Sequence, residues 1–308
     1  MAVGICGSDL HAFNGNHPFI DLPVVPGHEV AGIVDATGPG VTSFQVGHRV
    51  LLEPNLVCGH CFYCTSGRYN LCEDLKVVGC QTAGGMAEAF TAPASRFHRV
   101  PDGMTWTEAA LVEPMSTATH ATRIVGDLRG AMVVVLGAGS IGLLTLLAAK
   151  AAGASIVVIS DPLEGKRAHA IELGAAAAFD PIRPGFVQEV RKSLPHRPDV
   201  VFDCVAGQSS VTQGIALAEK GGIVIVIGIA QRPVEIPLPV VQDREIRIQG
   251  SAMYVAEDVL RAIELISNRT VNAERMVTAI FPLERAAEAF AAARSGNHLK
   301  VQVQIGQG

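Results

Sequence analysis

The chain is poor in charge and in aromatic side chains. Only 17% of its 308 residues are charged and 5% are aromatic, and 24 basic residues are outnumbered by 29 acidic ones, for a net charge of −5. The sequence has no Lys/Arg cluster and no stripe of interleaved aromatics that could hold a polyanion. These deficits argue against a nucleic-acid partner. The length favours one large or two ordinary globular domains with a substantial core.

A convincing membrane segment is also missing. Residues 131–149 carry no charged side chain, but Gly137, Gly139 and Gly142 fall where a tight turn is expected. We interpret this segment as a strand, a turn and a buried helix, and we expect no membrane partner. Seven cysteines without a leader or lipidation motif predict a reducing, cytoplasmic location.

Four of the cysteines form the most informative motif. Cys58, Cys61 and Cys64 are spaced three apart, and Cys72 follows after a short excursion. Such a loop can surround one tetrahedral ion with four thiolates and leave no open position. The spacing therefore predicts a structural zinc site in a lobe spanning residues 54–76. Two disulfides are the alternative, but the odd cysteine total and the lack of a signal peptide argue against them.

A glycine turn is typical of dinucleotide binding. The strand-like run Met132–Leu136 leads into Gly137-Ala-Gly139-Ser-Ile141-Gly142, which opens an apolar helical stretch. The first glycine allows the turn, the second lets a pyrophosphate approach the backbone, and the third lets helix and strand pack. The helix N-terminus then faces the phosphate charge. The turn predicts a nucleotide-binding domain.

Asp161 ends the next strand-like run, where an acidic side chain can bind the adenosine ribose. It favours NAD over NADP, because a 2′-phosphate about 4 Å away would cost roughly 1 to 4 kcal/mol. Lys166 and Arg167 follow closely and soften this preference. We expect Lys166 to contribute to cofactor binding.

Strand-like and helical patterns alternate in the second half of the chain. Strand-like runs occupy Pro198–Cys204, Gly222–Gly228 and Glu245–Gln249, with a helical pattern between the first two. This alternation predicts an α/β fold with a doubly wound parallel sheet. Gly228 and Ile229 then lie at the carboxyl end of a strand, where ligands of open α/β sheets bind.

The first hundred residues have short strand-like runs and many glycines and prolines, which predict a mostly-β lobe. Cys6 and the pair His28-Glu29 occur in this lobe, and Glu113 follows it. Cys, His and Glu form a borderline-soft donor set, and three protein ligands with an open fourth position are typical of catalytic zinc. Taken singly, these residues have structural explanations: a small buried thiol, a satisfied polar group, and a carboxylate at a helix start.

Five motifs, taken in order, resemble the zinc-dependent medium-chain dehydrogenases, in the branch of sorbitol, xylitol, threonine, butanediol and sugar-acid dehydrogenases. They are Gly-Ile-Cys-Gly-Ser-Asp-Leu-His from residue 4, Pro-Gly-His-Glu from residue 26, the four-cysteine lobe, Glu113-Pro114 and the glycine turn. The resemblance runs from Val3 to about Ile305. It implies a GroES-like, mostly-β catalytic domain (1–115 and 255–308) into which a Rossmann domain (116–254) is inserted.

The resemblance also implies roles for individual residues. Cys6 and His28 match the catalytic zinc ligands, Glu29 and Glu113 match carboxylates that compete for the remaining place, and Ser8 and His11 match a proton relay. The i, i+3 spacing of Ser8 and His11 places both on one side of a helical turn. The implied cofactors are two zinc ions per chain and NAD, and the implied reaction is oxidation of a secondary alcohol to a ketone by a homodimer or homotetramer. Residues 222–250 are a candidate subunit interface.

Two departures from the family shape these expectations. Relatives carry several strands ahead of the Gly-Ile-Cys motif, so we expect a weakened catalytic lobe around an intact nucleotide domain, with an inactive NAD-binding homologue as an alternative. Met253-Tyr254 replaces the Arg-Tyr pair of sorbitol-type enzymes, and Ala12 replaces an aromatic. The stretches 112–116 and 120–123 still resemble the polyol and sugar-acid branch. We predict a polyol or sugar-acid substrate, with L-threonine or butanediol as the alternative.

Overall fold

The computed structural model describes residues 1–306, apart from the side chain of Glu274. In chain order its strands are β1 (Ala2–Gly4), β2 (Glu29–Ile33), β3 (Arg49–Leu52), β4 (Asn55–Leu56), β5 (Lys76–Val77), β6 (Phe97–Arg99), β7 (Met132–Leu136), β8 (Ile156–Ser160), β9 (Ala177–Phe179), β10 (Val200–Asp203), β11 (Ile223–Val226), β12 (Arg247–Gly250), β13 (Val277–Pro282) and β14 (Lys300–Gln304).

The α-helices are α1 (Gly7–Phe13), α2 (Phe62–Thr65), α3 (Trp106–Val125), α4 (Ser140–Ala151), α5 (Glu164–Glu172), α6 (Phe186–Ser193), α7 (Gln208–Leu217), α8 (Leu238–Asp243), α9 (Ala256–Ser267), α10 (Ala273–Met276) and α11 (Ala286–Arg294). Short 3-10 turns occupy Tyr69–Leu71, Ala94–Arg96 and Leu283–Arg285. Across residues 1–306, none of these helices has the length and apolar character to cross a bilayer.

The chain forms two compact units. Unit 1 comprises Met1–Ser116 together with the chain from Met253 onward, and unit 2 comprises Thr117–Ala252. The chain therefore leaves unit 1 inside α3 and returns to it just before α9.

Unit 1 is built on a six-stranded sheet in the order β13-β14-β1-β2-β3-β6. Strand β1 is antiparallel to both β14 and β2, with Val3 opposite Val303 on one side and Val30 on the other. These three valines are buried in one apolar cluster with residues of α11. Because β1 is held from both sides, the residues that follow it, from Ile5 to His11, start from a fixed position.

Unit 2 is a parallel six-stranded sheet in the order β12-β11-β10-β7-β8-β9. Strand β7, at the centre of this sheet, is apolar throughout, as expected where helices cover both faces of a sheet. The strand order reverses at β7, and the glycine turn follows β7. This arrangement, a parallel doubly wound sheet inserted between two segments of a mostly-β unit, confirms the predicted fold class.

One strand boundary differs from the sequence-based expectation. The pattern predicted a strand from Glu245, but β12 begins at Arg247. Helix α8 ends at Asp243, and Glu245 adopts a φ of +50° as the chain turns into the sheet. The local pattern of alternating side chains does not reveal this left-handed residue.

Candidate metal centres and cofactor-binding turn

The start of helix α1 fixes Cys6. Cys6 is the residue before the helix, with extended backbone angles, and its N–H donates to Oδ2 of Asp9 at 2.8 Å. This bond satisfies one of the amides that a helix start leaves without a partner. The Cys6 thiol is thereby held at the helix N-terminus. Ser8 and His11 lie on the same helix, both half-buried.

Cys6, His28 and Glu29 are brought together at the ends of β1 and β2. Their ligand atoms all lie within 4.8 Å of one another, which suits one shared ion. Gly4 lies opposite Glu29 in the β1–β2 ladder, and a Cβ at Gly4 would lie 1.7 Å from Oε2 of Glu29. Glycine at position 4 therefore makes room for the carboxylate.

Glu29 is fully buried and forms an ion pair with Lys300, itself only 3% exposed, at the start of β14. Lys300 Nζ donates to Oε1 of Glu29 and to the Ile5 carbonyl oxygen. Burial opposes the charge on Lys300, but Glu29 and Cys6 outweigh burial and raise its pKa. The other carboxylate oxygen, Oε2, is buried and has no hydrogen-bond partner among the described residues. A cation held by Cys6 and His28 would satisfy this oxygen.

The charge of His28 is controlled by its neighbours. Its Nδ1 lies 3.7 Å from Oδ1 of Asp9 and 3.8 Å from Sγ of Cys80. Burial disfavours the imidazolium, but Asp9 and Cys6 outweigh burial and raise the pKa of His28. Asp9, which had no role in the sequence-based prediction, is 3% exposed; it accepts the Cys6 N–H and places a carboxylate beside His28.

Glu113 lies in helix α3, buried within unit 1, and accepts a 2.5 Å hydrogen bond from the hydroxyl of Tyr254. Burial raises the pKa of Glu113 to about 7, and the nearby Glu29 adds to this shift while His28 opposes it. The three-residue donor group is Cys6, His28 and Glu29, with Glu113 outside it. Zinc fits this set, because one thiolate, one imidazole and one carboxylate leave a fourth position open.

The four-cysteine lobe brings all four sulfurs within 4.8 Å of one another. Sγ of Cys72 accepts the Cys58 N–H, Sγ of Cys58 accepts the Cys61 N–H, and Cys58 and Cys64 Sγ are 3.9 Å apart. Backbone N–H groups of Glu73 and Cys64 lower the pKa of Cys61 to about 6. All seven cysteines are free thiols, so the disulfide alternative does not describe this chain. Four sulfurs and no open position suit a structural zinc.

The glycine turn forms a cradle at the N-terminus of α4. Gly137 adopts a φ of +96°, which favours glycine, and a Cβ at Gly142 would lie 1.8 Å from the Gly137 carbonyl oxygen. At Gly139, which precedes the helix, a Cβ would meet no atom within 4 Å. Backbone amides at the start of α4 thus border open space, as pyrophosphate binding requires. Ile141, half-buried, lies in the first turn of α4.

Asp161 follows β8 and is 6% exposed. Its Oδ2 accepts the Ala138 N–H at 3.0 Å and its Oδ1 accepts the Leu163 N–H at 2.9 Å, so it links the glycine turn to the next helix. Arg167 donates to the carbonyl oxygens of Asp161 and Pro162. Lys166 lies beside it on α5, half-buried. Both cations were predicted to soften the preference for NAD, and Lys166 alone to bind the cofactor; the bonds from Arg167 to the backbone were not predicted.

Gly228 and Ile229 lie just beyond β11, as expected. A Cβ at Gly228 would lie 2.8 Å from the Val205 carbonyl carbon, so glycine allows the segments after β10 and β11 to approach closely. Ile229 is 44% exposed. Both residues lie at the carboxyl edge of the parallel sheet, on the same edge as the glycine turn.

Three residues that contact the candidate site residues were not predicted, and the sequence carries a different signal for each: Asp9 and Lys300 support the Cys6–His28–Glu29 group, and Tyr254 supports Glu113. Asp9 stands three residues after Cys6, the spacing of a helix capping box, so its backbone contact was detectable. Lys300 gives no local signal, since it lies 271 residues from Glu29. Tyr254 was noted only as part of a substituted pair, and its contact with Glu113 spans 141 residues.

Comparison with known proteins agrees with this geometry. Residues 1–102 match the alcohol dehydrogenase GroES-like domain and residues 140–268 match the zinc-binding dehydrogenase domain. The chain is 35% identical to sorbitol dehydrogenase of Rattus norvegicus over 98% of its own length and 87% of that protein.

Two solved structures are similar over nearly the whole chain. A zinc-binding dehydrogenase from Sinorhizobium meliloti 1021, bound to NADP, has a TM-score of 0.91 and 33% identity, covering 98% of this chain and 89% of that one. L-idonate 5-dehydrogenase from Escherichia coli has a TM-score of 0.89 and 27% identity, covering 98% and 88%. The chain therefore belongs to the zinc-binding, medium-chain alcohol dehydrogenase family, whose members are NAD(P)-linked oxidoreductases of small alcohols.

Proposed function

We propose that this protein oxidises a secondary alcohol of the polyol or sugar-acid class to the ketone, using zinc and NAD. The observation that carries the proposal is the Cys6–His28–Glu29 donor group next to helix α1, which carries Ser8 and His11. The relatives named sorbitol dehydrogenase and L-idonate 5-dehydrogenase support this substrate class. Unit 1 would act as the catalytic domain and unit 2 as the cofactor-binding domain.

Each residue has a stated task in this proposal. Cys6, His28 and Glu29 would hold the catalytic zinc, and the four cysteines would hold the structural zinc. When bound, zinc supplies Lewis acidity and the nicotinamide supplies a hydride acceptor. The hydroxyl proton of the substrate would pass to the Ser8 hydroxyl as that hydroxyl gives up its own proton, and His11 would release a proton towards solvent; both residues lie on α1. Glu113 would lie beside the open position.

NAD is the proposed cofactor. Asp161 is a buried carboxylate at the end of β8, where a 2′-phosphate would meet a like charge. The backbone N–H bonds to Asp161 keep its carboxylate in place. Against this, the similar S. meliloti enzyme is bound to NADP, and Arg167 lies next to Asp161. The measurement is the ratio of kcat/KM for NAD to that for NADP, which we expect to exceed 10. A ratio below 1 would reverse the assignment.

A homodimer or homotetramer is proposed, with residues 222–250 as the interface. Strand β12 is an edge strand of the unit 2 sheet, and Leu238 in the preceding α8 is 66% exposed. Unpaired edge strands next to exposed apolar side chains favour association. Sedimentation velocity would give the number of chains. A monomer at micromolar concentration would rule the proposal out.

We also propose a cytoplasmic location, because all seven cysteines are free thiols.

The test of the activity is NADH formation with a panel of sugar alcohols and aldonates, with L-threonine and butanediol in parallel. We expect turnover with at least one sugar alcohol or aldonate, and its loss in His28→Ala. Turnover confined to L-threonine or butanediol would support those alternatives. No turnover with any substrate, from protein containing two zinc ions per chain, would favour an inactive NAD-binding homologue.

A further inference from the structure

Tyr254 holds Glu113 from the part of the chain that returns to unit 1. Its side chain is 1% exposed, and its hydroxyl donates to Oε1 of Glu113 at 2.5 Å. The preceding residue, Met253, adopts a φ of +50°, a left-handed conformation that non-glycine residues rarely take. Such a conformation persists only where surrounding contacts enforce it. Contacts on this part of the chain must therefore hold Met253 and Tyr254 in place.

Those contacts come from the four-cysteine lobe (residues 54–76). Asn55, which is fully buried, donates its side-chain N–H to the Tyr254 carbonyl oxygen at 2.8 Å. The hydroxyl of Tyr69, three residues before Cys72, accepts the backbone N–H of Ala256. Asn55, which precedes the first of the four cysteines, and Tyr69, which lies between the third and the fourth, thus hold the three-residue segment from Tyr254 to Ala256.

The Tyr69 hydroxyl is itself fixed. It donates to Oε1 of Glu53 at 2.8 Å, and Glu53 is 1% exposed. Glu53 also accepts a bond from Arg96 at 3.0 Å and lies 2.8 Å from Nε2 of His98 on β6. The Glu53 carboxylate therefore links the lobe to the main sheet of unit 1, and Tyr69 links this carboxylate to the backbone of Ala256.

From these contacts we propose that the four-cysteine lobe positions Glu113 at the catalytic metal site, acting through Asn55, Tyr69 and Tyr254. The lobe then does more than stabilise the fold. It sets the place of a carboxylate that lies close to the Cys6–His28–Glu29 group. Tyr254 and Asn55 are positioning residues, because they act on Glu113. The inference rests on the proposed function, in which Glu113 lies beside the open metal position.

The test uses protein in which zinc has been replaced by cobalt(II), whose visible spectrum reports ligand geometry. Tyr254→Phe removes only the hydroxyl that donates to Glu113. Asn55→Ala removes the hydrogen bond from the lobe to the Tyr254 carbonyl oxygen. Tyr63→Phe is the matched control, because the Tyr63 ring packs in the same lobe against Phe62 and Arg68. Cobalt affinity, the visible spectrum and kcat with KM are measured for each variant.

We expect Tyr254→Phe and Asn55→Ala to keep cobalt at the catalytic site with near-wild-type affinity, because Glu113 lies outside the Cys6–His28–Glu29 donor group. The spectrum of that site should shift, the four-thiolate charge-transfer bands should stay, and kcat should fall more than KM rises. Tyr63→Phe should match the wild type. If Asn55→Ala does not fold, Tyr69→Phe replaces it, because it removes the lobe hydroxyl that accepts the Ala256 N–H.

Two failures are distinguishable. An unchanged spectrum at the catalytic site together with an unchanged kcat in Tyr254→Phe would overturn the positioning role while leaving the proposed function in place. Wild-type protein that binds cobalt only at the four cysteines would overturn both, because the catalytic metal site itself would be missing.

Discussion

The four-cysteine lobe takes all its candidate ligands from residues 58–72, whereas the catalytic group takes Cys6 from the start of α1 and His28-Glu29 from the start of β2, with Lys300 supporting them from the far end of the chain. The lobe is partly exposed, with Phe62 65% exposed, while Glu29 is fully buried. A site made from one short loop is defined by spacing. A site assembled across the sheet of unit 1 depends on the fold around it. The pKa values of its side chains depend on that fold as well.

The largest expected effect separates the two metal sites. His28→Ala should lower the rate of alcohol oxidation by more than about 100-fold. Even residues that only hydrogen-bond a metal ligand contribute about 10- to 100-fold to metal affinity or activity. Zinc content should fall from two ions per chain to one, with the lobe still loaded. Cys61→Ser should show the opposite pattern, losing the lobe zinc first and lowering the urea midpoint. Metal analysis of both variants checks this. Loss of both ions in His28→Ala would show that the sites are not independent.

The second prediction concerns the buried ion pair. Lys300→Met should lower the free energy of unfolding by about 3–5 kcal/mol in metal-free protein, because Glu29 is left as an unpaired buried charge. Adding Glu29→Gln should recover most of this loss. Urea unfolding of the two variants measures the difference. A single-variant loss under about 1 kcal/mol would mean that Glu29 is stabilised by other contacts.

A smaller effect should follow from Asp9→Asn. The substitution keeps the shape but removes the charge 3.7 Å from Nδ1 of His28, so zinc affinity at the catalytic site should fall by about 10- to 100-fold. Competition with a chromogenic chelator gives the affinity. The lobe should keep its zinc, because Asp9 lies outside residues 58–72. Equal weakening at both sites would point to general unfolding instead.

The smallest effect is expected on the lobe surface. Arg68→Ala removes a guanidinium 5.5 Å from the ring centres of Phe62 and Tyr63. An exposed contact of this kind contributes about 0.5–1 kcal/mol. Thermal unfolding should detect the loss, while zinc content and kcat stay at the wild-type level. A change in kcat would extend the positioning role of the lobe to its outer surface.

Much of the fold and part of the candidate sites could be predicted from the sequence. The glycine turn, the strand Met132–Leu136 and the four cysteines each have their signal within one short stretch of sequence. The structure forms the turn and the strand and places the four sulfurs close together. The start of β12 was placed two residues too early, because the left-handed Glu245 gives no periodic signal. The bonds from Arg167 to the backbone after β8 were not predicted, because a basic pair on a helix is also typical of a solvated face.

By itself, the sequence determined the strand segments of the parallel sheet, the nucleotide turn and the four-sulfur loop, because the signal for each lies in residues that are neighbours in the chain. Only the tertiary structure decided what surrounds the catalytic group. Lys300 reaches Glu29 across 271 residues and Tyr254 reaches Glu113 across 141, so their pairing is set by how β14 and the returning chain pack in unit 1. The physical reason is that buried charges need partners, and their positions are fixed only when the chain folds.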